Sequence, residues 1–555
     1  MRFGLFYEHQ LARPWAEGAE EQLLRDALDQ LELADRLGYD YVWQVEHHFL
    51  EEHSHSSAPE VFLAAASQRT KRMRLGHGIV QLPPNINHPV RVAERIATLD
   101  LLSGGRVEFG TGESTSQMEL GGFRVDRNLK RAQWEEALDV VTRMLVEEPF
   151  AGYQGRFIFM PRRNVVPKPK QKPHPPLWMA CSRRESICLA ARKGIGALSF
   201  SFIEPEEAKE WVDDYYRILD SEECVPAGFA VNPNVAVVLP FLCHQDEQTA
   251  IERGIDGMHF FGYALAHYYV FGRHEPGRTN LWEEFQRNRT TYGFTRELVR
   301  AGDGPLGVRL LQESIGSLRG AVGTPTQIAD LIERYERAGV DTIIFGSQAG
   351  KNRHEHICES IELFAREVLP RFAEKAEARE ARKRVLLAEA CERALARRVP
   401  ARKVESEYVV TAKSEPFQSP ATPARGGFFL RLVRSRDDAQ LDRLLSFSAV
   451  QWLLFKAMER AVERGRTSRF KGIVEYQLCG ADGEARWNLR IDGKHAKANR
   501  GPASNPVLVF RTTRPLFARM AVGQLNPAHA ILERKLEVQG DLKALAAFST
   551  MFEAA

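Results

Sequence analysis

The sequence predicts an α/β protein, a (β/α)8 barrel followed by a small α+β domain. Three observations lead there. From residue 1 to about 370, short apolar runs alternate with longer amphipathic segments, as strands that each feed a helix do. One run, Tyr39-Asp40-Tyr41-Val42-Trp43, ends abruptly in Val45-Glu46-His47-His48-Phe49. A buried strand that stops at ionisable side chains has reached a polar mouth, and in α/β barrels the carboxyl ends of the strands carry the chemistry. Beyond a proline-rich break, the pattern changes to one long helix and short alternating strands.

The elements follow in order. Residues 2–7 read as a strand and 20–37 as a helix with Leu24, Leu28, Leu31 and Leu37 near one face. A second strand lies near 40–45, a helix near 58–69 and a third strand near 73–80. A helix runs from Pro89 to Leu102, a strand covers Val107–Gly110 and a longer helix spans about 127–147. Further alternation is legible at 177–180, 184–193, 195–200, 205–219 and 234–240. In the last unit Gly323-Thr324-Pro325 opens a helix through Ala338, Val340–Gly346 is a strand, and a helix closes near 354–370. No Gly-x-Gly-x-x-Gly follows the first strand, so a closed barrel is favoured over a doubly wound open sheet.

Residues 255–320 interrupt the alternation and are aromatic, with Phe260, Phe261, Tyr263, Tyr268, Tyr269, Phe271 and Trp282. They read as an insertion that covers the mouth. Residues 371–398 read as a charged, solvated helix, and 399–427, with four prolines and Gly426-Gly427, as a linker. Residues 427–555 form the second domain. It has a helix near 446–464 and strands Ile473–Leu478, Trp487–Ile491 and Val507–Phe510, with a hairpin turn at Gly480-Ala481-Asp482-Gly483.

At 555 residues the chain exceeds one ordinary domain. A net charge of +3 gives no global reason for nucleic-acid binding. No apolar run has membrane-spanning length, and the amino terminus lacks a signal-peptide layout. Seven scattered cysteines without a Cys-x-x-Cys spacing point to a reduced, cytoplasmic compartment.

Glu46, His47 and His48 are the first candidates for chemistry, because two imidazoles beside a carboxylate can move a proton, polarise an oxygen or hold a metal. His77, on the third strand, and His88, before Pro89, are candidates to complete the mouth. With His53 and His55 they would supply enough ligands for iron or zinc. Neighbouring side chains of an extended segment diverge, however, and no His-Glu-x-x-His occurs, so no metal is assigned.

Four motifs carry a resemblance. They are Glu46-His47-His48-Phe49; Leu82-Pro83-Pro84 with Asn87-His88-Pro89-Val90-Arg91; Asp100–Gly110; and Gly323-Thr324-Pro325 with Ala338-Gly339-Val340-Asp341. Together, over about residues 1–370, they resemble the bacterial luciferase-like monooxygenases. The resemblance implies a TIM-type barrel that binds reduced FMN, or in some branches a reduced deazaflavin, at the strand carboxyl ends. It implies His47 at the flavin edge, His48 second, and Glu46 orienting them. It places the phosphate near Ser182, Arg183, Arg184 and Ser186, where a helix N-terminus with two arginines makes an anion cradle. His77, Thr111 and Gly112 are expected beside the cofactor. The loop after the fourth strand departs from the family, because Glu113 stands where luciferases carry a basic residue that reaches the phosphate. Trp487–Ile491, Val522–Pro527 and Lys535–Asp541 resemble the sterol carrier protein type two fold, with Phe510, Leu516, Phe517, Met520, Leu545, Phe548, Met551 and Phe552 expected around an apolar tunnel.

The expectation is a two-component flavin-dependent monooxygenase that acts with oxygen on a lipophilic small molecule. It takes reduced FMN from a separate reductase, since no nicotinamide site is recognisable, and works as a homodimer. The alternatives are a deazaflavin-dependent dehydrogenase on the same barrel and a non-enzymatic lipid-binding protein.

Overall fold

The computed structural model describes residues 1–200, 203–291, 294, 320–404, 433, 436–464, 470–492, 495–521, 530, 535–541 and 544. Most of the expected linker, the end of the aromatic insertion, the Val522–Pro527 motif and Leu545, Phe548, Met551 and Phe552 lie outside the described residues. The chain divides into two compact units, Met1–Val410 and Thr411–Ala555. Among the described residues no helix is long and apolar enough to cross a membrane.

In the first unit the parallel strands are β1 (Arg2–Tyr7), β2 (Tyr41–Gln44), β3 (Arg74–His77), β4 (Val107–Gly112), β5 (Leu177–Cys181), β6 (Gly196–Ser199), β7 (Val235–Cys243) and β8 (Thr342–Gln348). Each pairs with the next, and β8 returns to β1, so the sheet closes on itself. Helices α1 (Ala19–Leu37), α2 (Pro59–Arg69), α3 (Pro89–Leu102), α4 (Gln117–Gly122), α5 (Lys130–Val146), α6 (Arg184–Arg192) and α7 (Pro205–Leu219) follow the first six strands. α8 (Glu247–Ala266) and α9 (Leu281–Asn288) follow β7, with α10 (Pro325–Arg337), α11 (His354–Glu367) and α12 (Leu369–Ala396) completing the unit.

The alternation of side chains along each strand sorts two cores. Phe3, Leu5 and Tyr7 face the helices, as do Val42, Leu75, Leu177, Val237 and Phe345. Phe6, Trp43, Trp178, Leu198, Val238 and Ile344 face the barrel axis. Trp43 and Trp178 fill that interior edge to face, with ring centroids 5.2 Å apart. Glycines make room for them: a Cβ on Gly76 would lie 2.4 Å from Trp43, and one on Gly196 would lie 2.5 Å from Trp178.

α7 buries Ala208, Trp211, Val212, Tyr215 and Ile218, a helical stripe, and starts with proline. In α10 Gln327 N–H donates to Thr324 Oγ1, and Gln327 Oε1 accepts from Thr324 N–H. Leu24, expected on the buried face of α1, is 40% exposed; Ala27, Gln30, Leu31 and Ala34 carry that face instead. Aromatics of α8 do not stand apart from the barrel: Phe260, Phe261 and Tyr263 join the interior cluster with Phe6 and Trp43.

α12 departs from expectation in where it belongs. The charged helix is mostly exposed, as expected, but it belongs to the first unit instead of lying outside a 1–370 barrel. Arg379 donates to Val340 O at 2.9 Å, Lys383 pairs with Asp341 at 2.8 Å and Arg397 donates to Cys224 O at 2.9 Å. Its basic residues thereby cap chain segments that enter β7 and β8, a use of charge that composition does not distinguish from solvation.

The second unit holds α13 (Asp438–Ser446), α14 (Ser448–Arg464) and α15 (Arg514–Ala521), with strands β9 (Lys471–Gly480), β10 (Gly483–Asp492), β11 (His495–Arg500), β12 (Leu508–Thr513) and β13 (Glu537–Gly540). The sheet order is β11-β10-β9-β12-β13, and the expected hairpin turn joins β9 to β10. Phe455 of α14 stacks on Trp487 at 4.6 Å, and Phe510 and Phe517 pack in the same cluster with Leu516 and Met520 at its margin. Leu453, on the same helix, is exposed.

Candidate active site

β2 ends at Gln44, and the following residues turn across the mouth of the barrel. The turn is strained: Phe49 has φ 66° and Glu51 φ 35°, and across the mouth Ser114 has φ 61°. A bulky residue in the left-handed region costs about 1–2 kcal/mol, which the surrounding packing sustains. Here a Cβ on Gly122 would lie 2.5 Å from the Phe49 ring, so only glycine lets α4 approach so closely.

α4 brings the residue that organises the site. Glu119 is fully buried, and Ser116, whose Oγ accepts from Met118 N–H, caps the helix that carries it. Its Oε1 accepts from His47 Nδ1 at 3.0 Å, from His48 N–H at 3.0 Å and from Gln81 Nε2 at 2.6 Å. Its Oε2 accepts from Ser114 Oγ at 3.1 Å. Burial opposes charge on this carboxyl, yet His47 and these donors hold it below the usual carboxylate range. Burial likewise pushes His47 down, but Glu119 and then Glu8 outweigh it and raise the imidazolium to about 9. With Nδ1 engaged, Nε2 is the nitrogen free to exchange a proton.

Glu46 does not orient His47. It accepts from His48 Nε2 at 3.1 Å, from Asn87 Nδ2 at 2.7 Å and from Gln81 N–H at 2.7 Å. His48 packs edge to face on Phe123, with centroids 4.9 Å apart. The two adjacent histidines therefore have separate carboxylates and diverge. Behind His47 lie Glu8, just past β1, and His53. His47 Nε2 is 3.8 Å from Glu8 Oε2, and His53 Nε2 is 3.9 Å from Glu8 Oε1. Ligand atoms of Glu8, His47 and His53 lie within 4.8 Å of one another, the group among the described residues with cation-site geometry. Burial raises Glu8 to about 7 and holds His53 well below the usual histidine range.

Other expected residues are placed differently. His77 alternates outward with Leu75, away from Gly76 and Trp43; burial lowers it to about 4, and the charges it feels are Glu60 and Arg95. His88 is exposed and caps α3 by accepting from Val90 N–H at 3.3 Å. Thr111 is fully buried on the outer face, where it accepts from Trp134 Nε1 and donates to Trp178 O, each at 3.1 Å. Gly112 faces the mouth, where a Cβ would lie 2.5 Å from Ile79.

At the start of α6, Ser182 and Arg183 are exposed, and Ser186 Oγ donates to Arg183 O at 2.6 Å. Arg184 turns to α7, with Asp214 at 2.7 Å and Glu210 at 3.3 Å, so it does not face the mouth. Arg131 grips Glu113 through two hydrogen bonds of 2.7 and 2.9 Å, and Lys130 adds a contact of 3.4 Å. Two cations on one carboxylate leave this corner net positive, so Glu113 does not present an unpaired charge. Lys130 and Arg131 are the phosphate candidates missed in the sequence, because they begin α5 rather than follow a strand. The residues fit a ring with a phosphate tail, apolar at Phe6, Ile79, Met118 and Phe200 and cationic at Lys130 and Arg131.

Residues 1–342 match the profile of the family described as luciferase-like monooxygenase. The chain belongs to the luciferase-like monooxygenase family. Residues 454–553 match the SCP-2 sterol transfer family. The chain is 29% identical over 378 residues to 4-hydroxyprotoasukamycin monooxygenase of Streptomyces nodosus subsp. asukaensis, covering 65% of this chain and 89% of that one. It is 28% identical over 201 residues to the oxygenase component of a flavin-dependent trigonelline monooxygenase of Acinetobacter baylyi, covering 35% and 52%. The crystal structure of monooxygenase RslO1 from Streptomyces bottropensis superposes with a TM-score of 0.53 at 26% identity, covering 67% of this chain and 100% of that one. The chain spans about half the length, 48%, of two uncharacterized Sinorhizobium fredii proteins that it also matches.

Proposed function

We propose that this protein is the oxygenase of a two-component flavin monooxygenase that binds reduced FMN at the barrel mouth and oxygenates a lipophilic small molecule. The observation that carries the reading is the buried Glu119 bound to Nδ1 of His47, whose ring is 19% exposed at the mouth and whose Nε2 is not hydrogen-bonded. Bound reduced FMN would supply the two electrons that activate oxygen. Lys130, Arg131 and Arg183 would hold its phosphate, and the α8 aromatics with Phe6 and Phe200 would exclude water. His47 would give or take a proton at Nε2 while Glu119 fixes its orientation.

A separate reductase follows from kinship with a relative that is itself named an oxygenase component. A carrier-type second unit favours a lipophilic substrate, which it would retain or deliver. Pairing of two chains belongs to the same reading and is checked by sedimentation.

The test is an anaerobic titration with reduced FMN, followed by admission of oxygen and a lipophilic ketone or terpene. Saturable binding with oxygen consumption coupled to an oxygenated product supports the reading. Binding of a reduced deazaflavin alone, with hydride transfer and no oxygen uptake, would replace it by a dehydrogenase. Lipid retention with neither cofactor bound would leave a lipid-binding protein.

A further inference from the structure

We propose that Glu8 is the proton store of this site: it exchanges a proton with His47 Nε2, and Glu119 and His53 hold the pair in register. The inference rests on the proposed function only for where the proton finally goes. The exchange itself belongs to this chain's own residues.

The geometry leaves little else for these groups to do. His47 Nδ1 is committed to Glu119 at 3.0 Å, so proton traffic on this ring passes through Nε2. Nε2 faces Glu8 Oε2 at 3.8 Å, within one small side-chain rotation of hydrogen-bond distance. Glu8 is buried, and its Oε2 has no hydrogen-bond partner. An unpartnered buried carboxylate oxygen is costly as an anion, and a proton on it removes that cost. The His47 side chain is 19% exposed and Glu8 only 6%, so the imidazole meets the mouth and the carboxyl lies behind it.

The same cluster has the shape of a cation site, and hydrogen bonding shows how its imidazoles stand without a cation. Gln10 Oε1 accepts from Gly350 N–H at 2.6 Å, which turns its amide nitrogen toward His53 Nδ1 at 3.4 Å. His53 Nδ1 is then the acceptor, and the ring proton sits on Nε2, aimed at Glu8 Oε1. In this tautomer the Nε2 proton steadies the carboxyl that receives a proton, and a metal would have to displace it.

The step balances within the pair. The N–H bond at His47 Nε2 breaks, an O–H bond forms at Glu8 Oε2, and one positive and one negative charge vanish together. When both groups start protonated and His47 has given its proton to a ligand, the reverse step breaks the O–H bond of Glu8, re-forms the N–H bond at Nε2 and recharges the imidazole, leaving Glu8 as the anion. The charges around His47 come from every side. Glu119 reaches it from α4, Glu8 from the end of β1, Glu46 from its own turn and His53 from the turn Glu51–His53. Tyr269 comes from the segment His267–Phe271, where it feels Glu119 and Glu8, and Tyr268 lies against His53.

The full chain, labelled with 13Cε1 histidine and free of flavin, would be titrated by NMR from pH 5 to 10.5, with His47→Gln to assign the resonance. The expected result is a His47 signal with two inflections, one from its own proton and one from Glu8. Glu8→Gln should remove the second inflection and lower the proton affinity of His47 by about tenfold, one pKa unit. A single inflection in the unmodified protein overturns the proposal even if the variant does not fold, as does an unchanged His47 curve in a folded Glu8→Gln. Displacement of the signal by stoichiometric Zn²⁺ would overturn it in favour of a cation site. Since no flavin is present, the result is independent of the proposed function. A separate pH profile of turnover tests that function, and there Glu8→Asp should restore what Glu8→Gln shifts.

Discussion

Replacing Glu119 by glutamine asks whether its pair with His47 is held by charge or by shape. The folded His47 holds its proton up to about 9, against roughly 6.5 for a free imidazole. A pKa raised on folding contributes stability that is complete below the unfolded value and is lost as pH rises through about 9. At roughly 1.36 kcal/mol per unit, this amounts to about 3 kcal/mol. Glu119 has the opposite sign: held low, it contributes above its unfolded value near 4.5 and loses that contribution as pH falls through its folded value. Both terms are therefore complete between about pH 5 and 6.5.

Glu8 still supports His47 in Glu119→Gln, so a loss on the order of 3 kcal/mol is expected at pH 6. With an unfolding entropy of roughly 2.1 cal/mol/K per residue over Met1–Val410, the melting temperature should fall by about 3–4 °C. Guanidinium unfolding of wild type and variant at pH 6 and pH 10 reads the difference directly. It should shrink to below about 1 kcal/mol at pH 10, where His47 is neutral in both proteins. The same experiment in a His47→Gln background should show little further loss, because the partner is gone. Equal losses at pH 6 and pH 10, or an undiminished loss without His47, would refute the electrostatic argument.

Three further outcomes are expected. Replacing Lys130 and Arg131 together by alanine should weaken FMN far more than riboflavin in fluorescence-quenching titrations, since it also leaves Glu113 unpaired; Arg184→Ala, already paired with Asp214 and Glu210, should spare FMN, and the reverse ranking would move the phosphate site. Gly76→Ala should cost about 1–3 kcal/mol in denaturant unfolding, because its Cβ would lie 2.4 Å from a fully buried Trp43; an unchanged midpoint would mean the indole yields freely. Gln451→Ala should destabilise the second unit by about 1–3 kcal/mol, since Trp487 Nε1 donates to Gln451 Oε1 at 2.8 Å inside the core; unaltered unfolding would show that the indole N–H finds another partner.

The sequence by itself determined the barrel, the order of its strands and the turn that carries Glu46, His47 and His48, because period, apolar runs and caps are local properties of the chain. The signal that marks this turn, an apolar strand ending in ionisable residues, also marks Glu8 after Phe3-Gly4-Leu5-Phe6-Tyr7. Tertiary structure alone decided the rest. Glu119 sits on a six-residue helix with no pattern of its own, and only barrel closure and the glycine at 122 bring it onto His47. Side-chain alternation turned His77 and Thr111 to the outer shell, although both lie on strands that lead to the mouth. The charged run of α12 reads alike whether solvated or docked, and the carbonyls and carboxylates that hold it are supplied by distant strands. A charge's meaning depends on what faces it, and facing is a property of the fold rather than of the neighbouring letters.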